Sequence, residues 1–143
     1  MGLIFSIIAG AAMSLQGVIN TRLSERIGLY ESNVFVQGTA FLASLIALWF
    51  LGKGDFAQIG GVNKLYLTGG LLGIVITITV MLGMGKLNPA LATIAILITQ
   101  LFVSSLISGF GILGTEKEAF GWNKYLGLFL MLVGILVFKY KIK

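Results

Sequence analysis

The sequence predicts an all-α integral membrane protein of five transmembrane helices, and three observations lead there. Hydrophobic residues make up 57% of the 143 and charged residues only 10%, where a soluble domain carries roughly 25% charge. The apolar residues gather into five stretches, each near the ~20 residues that cross a bilayer core at a rise of about 1.5 Å per residue. The charged residues fall between those stretches. Nothing is left over for a soluble domain, so residues 1–143 read as one membrane domain with spans at about 3–21, 33–51, 65–84, 89–112 and 121–138.

The first span runs from about Leu3 to Thr21 and stops at Arg22. It has no basic segment ahead of it and four spans behind it, so it does not read as a cleaved signal peptide. Gln16 and Asn20 stand four residues apart, on one side of a helix. Ala9, Ala12, Met13 and Gly17 share that side, where another helix can come close. An amide in hydrocarbon finds no water and must find another partner. Both amides are therefore candidate substrate-binding groups that face a bundle interior or a wet cavity. Their alternative role is a hydrogen bond between helices, worth ~0.6 kcal/mol in measured membrane proteins.

The segment SERIGLYES then reads as a loop ending in Ser32 and Asn33 as helix caps. The second span, about Asn33 to Leu51, puts Asn33, Gln37 and Ser44 on one face and Trp49 at interfacial depth. GKGDFAQIGGVNK reads as a surface loop. The third span, about Leu65 to Met84, opens with Gly69 and Gly73, a small-residue pair that lets helix backbones approach, and Thr77 follows. Asn88 is expected to cap the fourth span and Pro89 to be its first residue. That span, about Pro89 to Ile112, carries the longest polar stripe: Thr93, Gln100, Ser104 and Ser108. Serine and threonine can bond back to their own helix; Gln100 cannot be explained that way. The fifth span, about Gly121 to Phe138, has no polar side chain from Leu126 to Phe138, only Gly127 and Gly134 seven residues apart. A helix apolar all round faces lipid or another apolar helix, and the glycine spacing suits a dimer or packing seam.

The composition also excludes function classes. There is no cysteine and no histidine, so disulfides, thiolate chemistry and the commonest metal ligand are absent. No metal site and no cofactor are expected. The net charge of +5 is spread over loops and the C-terminus, with no basic face for nucleic acid. No nucleophile–base pair or phosphate loop is present, and the glycine pairs lie in apolar helices with no strand before them. An enzyme is not expected. With the C-terminus inside, Arg22, Arg26, Lys86, Lys139, Lys141 and Lys143 stand against Lys53, Lys64, Lys117 and Lys124 outside. So small a bias under the positive-inside rule suits a chain inserted in both orientations. Two such copies would reproduce the inverted repeats of many transporters.

Particular segments carry a resemblance to a known family. Gly10-Ala11 with Gln16-Gly17-Val18-Ile19-Asn20-Thr21-Arg22-Leu23, Gly69-Gly70-Leu71-Leu72-Gly73, Gln100, and Phe110-Gly111-Ile112-Leu113-Gly114 resemble the half-size, five-span YdcZ-like branch of the drug/metabolite transporter superfamily. The resemblance runs nearly end to end. It implies half of an inverted-repeat ten-helix fold, completed by an antiparallel homodimer or a sister five-span chain. It also implies a bacterial inner-membrane exporter of small organic molecules. Two departures stand out. Small multidrug transporters, more distant kin, place a glutamate in span one at the depth of Gln16. Many YdcZ-like chains carry an aspartate–histidine pair where Ser108 and Gly109 stand. The expected partners are the lipid bilayer, a small-molecule substrate and a second five-span chain. The expected mechanism is alternating access, with a passive dual-topology channel and a non-transporting partner subunit as the alternatives.

Overall fold

The computed structural model describes residues 1–117 and 121–140. Every regular element among them is helical: α1 (Gly2–Ile27), α2 (Leu29–Leu51), α3 (Gly69–Lys86), α4 (Pro89–Phe110) and α5 (Trp122–Lys139). Gly2–Ile27, Leu29–Leu51, Lys64–Lys86 and Pro89–Phe110 are long and apolar enough to cross a membrane, and Trp122–Phe138 is a shorter apolar helix. Lys141 and Lys143, which enter the charge count, lie outside the described residues, as does the side chain of Lys139.

The chain divides into two compact units, Met1–Lys86 and Leu87–Lys143. In the first, α1 packs on both α2 and α3, and α2 packs on α3. In the second, α4 packs on α5.

The segment SERIGLYES is not a loop. α1 continues to Ile27 and α2 starts at Leu29, with Gly28 alone between them. Hydropathy marks where lipid ends, not where the helix ends. At 26 residues, α1 is about 39 Å long, against a hydrocarbon core of about 30 Å. Its charged end is held helical by the Arg22–Glu25 ion pair at 2.9 Å and by Ser24 Oγ donating to the Thr21 carbonyl at 2.7 Å.

Gly28 has φ 102° and ψ 157°, a region open in practice only to glycine. The Glu31 carboxylate fills the space a Cβ would occupy there. The Gly28 N–H donates to the Ser24 carbonyl, and its own carbonyl accepts from both the N–H and the Oγ of Ser32. One residue thus closes α1 and opens α2. Ser32 and Asn33 are therefore inside α2, and the expected caps are corrected to Gly28.

GKGDFAQIGGVNK likewise holds a short 3₁₀ helix, Phe56–Gly61, capped by Asp55 accepting from the Ala57 N–H. A second, Lys64–Thr68, is capped by Asn63 accepting from the Leu65 N–H. The α-helical part of the third span accordingly starts at Gly69, later than the apolar run. Asn88 caps α4 by accepting from the Leu91 N–H at 2.8 Å, with Pro89 in the first turn. Gly111, left-handed at φ 64°, ends it.

Candidate functional site: buried amides in the first unit

The buried face of α1 is set by Gly17, Asn20 and Thr21, at spacings of three and four that share one side of a helix. Gly17 is the close-approach point. A Cβ there would lie 2.6 Å from Met84 Cε and 3.1 Å from Val80 Cγ1, so α3 fits against a residue with no side chain. Met81 and Met84 are accordingly the buried apolar residues of α3. Thr21 Oγ1 returns its proton to the Gly17 carbonyl at 2.7 Å.

α2 folds back on α1 and brings its own polar pair inside. Ser32 is fully buried and bonded to the Gly28 carbonyl. Asn20 and Asn33 are each only 7% exposed. Counting 1.5 Å per residue, both lie within about 12 Å of the Gly28 turn. The Asn33 Oδ1 is buried with no hydrogen-bond partner. A buried acceptor left unsatisfied costs about 1–3 kcal/mol. Asn20, too, makes no side-chain hydrogen bond among the described residues.

The other sequence-selected residues fare differently. Gln37 is half-buried, and its Nε2 donates to Thr77 Oγ1 at 3.5 Å, while Thr77 donates to the Gly73 carbonyl at 2.8 Å. This amide bridges α2 and α3. Gln16, one turn before Asn20, is exposed, as are Ala9, Ala12 and Met13, so the buried strip runs through Gly17 rather than along that longer side. Gln100 and Ser104 on α4 are exposed and Thr93 is half-buried. A Cβ at Gly69, Gly127 or Gly134 would meet nothing within 4 Å, and one at Gly73 would make an ordinary contact with Gln37 Nε2 at 3.7 Å. Close approach within the chain belongs to Gly17, which the sequence presents only as one small residue among several. Thr21 and Ser32 are also missed: Thr21 stands at the end of the expected first span and is covered by α3, and the place of Ser32 inside depends on the helical continuation through the charged segment.

α4 and α5 enclose a groove of about 370 Å³ inside the second unit, with Ser104, Ser105 and Ser108 from α4 and Lys124 and Gly127 from α5 in its lining. Ser105 is the residue of this group that sequence spacing does not select. It sits beside Ser104, off the four-residue stripe.

Among the described residues no group of three or more Asp or Glu side chains could hold a metal ion. Four spanning helices, a fifth apolar helix and uncharged amides buried between helices define a polytopic membrane protein with polar groups held inside its bundle. The family follows from the sequence comparison: residues 1–137 match the family described as "Putative inner membrane exporter, YdcZ". The chain belongs to this inner-membrane exporter family, which is not an enzyme class. No curated protein and no solved structure shows a match to the chain.

Proposed function

We propose that the chain carries small neutral or zwitterionic organic molecules out across the inner membrane by alternating access, as an antiparallel pair with a second copy or a sister five-span chain. The observation that carries this reading is Asn33, whose buried Oδ1 has no donor. An N–H or O–H of a substrate would supply one. Asn20, buried and without a side-chain partner, offers both a donor and an acceptor on the facing helix. Uncharged amides select by hydrogen bonding and shape rather than by charge, and the alternative of an isolated charge at a helix centre would cost about 2.5–3.5 kcal/mol on insertion scales. Gln16, Thr93 and Gln100 would contribute from surfaces that the pair encloses, and rocking of one half against the other would move the site from one side to the other. Gly134 of α5, against which no side chain of its own chain lies, suits the seam between the two chains.

Two experiments test this. In the first, the culture medium of cells producing the protein is profiled for small molecules beside that of cells producing Asn33→Leu at equal membrane level. Wild type should enrich one or more neutral or zwitterionic compounds, and the variant should not; identical media would overturn the assignment of Asn33. In the second, reporters active only inside or only outside are fused to the C-terminus. Comparable signals from both support a homodimer of opposed copies, whereas a signal from one side alone overturns it in favour of a sister chain.

A further inference from the structure

The α4–α5 groove has a polar end and an apolar end, arranged along the membrane normal of an ordinary spanning hairpin. Ser108 lies two residues before the end of α4, and Lys124 two residues into α5. Leu101 lies about 10 Å further down α4 at 1.5 Å per residue, where Leu128 and Met131 complete the lining. Ser104 and Ser105 stand between. Trp122, 80% exposed at the start of α5, marks the polar end as headgroup depth, where indole rings settle.

Most of the helical hydroxyls of the protein are bonded to their own backbone. Thr21, Ser24, Ser32, Thr39, Ser44, Thr77, Thr79 and Thr99 all donate to a carbonyl three or four residues back. Ser104, Ser105 and Ser108, like Ser14 and Thr93, form no such bond among the described residues, and these three alone of the five line the α4–α5 groove. Three hydroxyls not bonded to their own helix thus line the same groove as Lys124, and the deeper half of that groove is apolar.

We propose that this groove binds an anionic phospholipid of the surrounding bilayer. The phosphate accepts hydrogen bonds from Ser108 at the mouth, Ser105 and Ser104 donate to the ester oxygens below it, and the first part of an acyl chain lies on Leu101, Leu128 and Met131. Lys124 also engages another group of the chain, so the hydroxyls supply the donors and the lysine biases the site toward negative charge. A free phosphate would leave the apolar half of the groove without a partner. A groove volume of about 370 Å³ takes the head and glycerol region, leaving the chains to continue over the lipid-facing surface. The proposal concerns the second unit alone and does not depend on transport through the amide site of the first.

The test is native mass spectrometry of the full-length protein, extracted mildly from vesicles of phosphatidylglycerol and phosphatidylcholine with matched acyl chains. Wild type should retain phosphatidylglycerol over phosphatidylcholine by about fivefold, the size of one basic group near an anionic surface. Lys124→Gln and the double variant Ser105→Ala/Ser108→Ala should bring the ratio toward one, while Lys53→Gln, on the loop after α2, should leave it unchanged. Circular dichroism confirms that each variant keeps its helices. Glycerol 3-phosphate added in excess should not displace the lipid. Equal retention of the two lipids by wild type, an unchanged ratio in both groove variants, or displacement by the soluble phosphate would each overturn the proposal.

Discussion

The three-helix unit and the α4–α5 hairpin place their polar side chains in opposite ways. In α1–α3 the amides and hydroxyls near the Gly28 turn are turned inward: Asn20, Thr21, Ser32 and Asn33 are all buried, and Gly17 brings α3 down onto α1. In the hairpin the polar residues line an open groove, and Ala92 alone is buried on α4. The difference follows from the number of neighbours. Three helices enclose an interior, in which a polar group must be paired or pay a desolvation cost. Two helices by themselves enclose only a cleft. The first unit is therefore where a selective site can be built, and the second is where lipid or a partner can reach hydroxyls that their own helix does not occupy.

Substitutions can break that contrast, and the largest effect is expected at Gly17. Gly17→Leu would drive a side chain into Met84 and Val80, and overpacking of this kind costs about 1–3 kcal/mol or more. Unfolding in mixed detergent should show a clear loss, partly recovered when Met84→Ala is added. A full-sized loss that Met84→Ala does not relieve would mean that Gly17 and Met84 are not in contact.

Gly28→Ala should follow closely. Its backbone conformation is strained for any side chain by about 1–3 kcal/mol, and the Glu31 carboxylate must also move. The same unfolding assay reads this; an unaffected variant would indicate a longer, looser turn between α1 and α2.

Asn33→Leu sharpens the comparison because stability and function should move in opposite directions. Removing an unpartnered buried acceptor should stabilise the protein by about 1–2 kcal/mol while abolishing export. Destabilisation instead would show that Asn33 has a structural partner.

Smaller effects follow for the bridging and the groove-lining groups. Gln37→Leu and Thr77→Val should each cost about 0.6 kcal/mol, the mean for hydrogen bonds between membrane helices, with a coupling in the double-mutant cycle no larger than that. Ser105→Ala and Ser108→Ala should leave unfolding unchanged, since no hydrogen bond is lost, whereas Ser32→Ala should cost about 1 kcal/mol through its bond to the Gly28 carbonyl. Equal costs for the two kinds of serine would erase the distinction between the units.

How much of this was legible in the sequence depends on the range of the interaction responsible. The Asn88 cap and Pro89 start of α4 were readable because capping acts within three residues. The Gly28 junction was not, because the charged residues around it resemble a loop by hydropathy although they propagate a helix well. Gly69, Gly127 and Gly134 read as packing glycines by spacing; within the chain no atom lies within 4 Å of a Cβ placed there, and spacing alone does not tell which face has a neighbour.

The amino-acid order by itself determined the membrane class, the helical architecture and the stock of uncharged polar groups. These depend on composition, on local backbone bonding and on the length of each apolar run. Only the tertiary structure decided that Asn20 and Asn33 lie inside while Gln16 lies outside, and that the contact runs through Gly17. A helix carries all its faces in its sequence, but which face is covered is a property of the neighbours that fold against it.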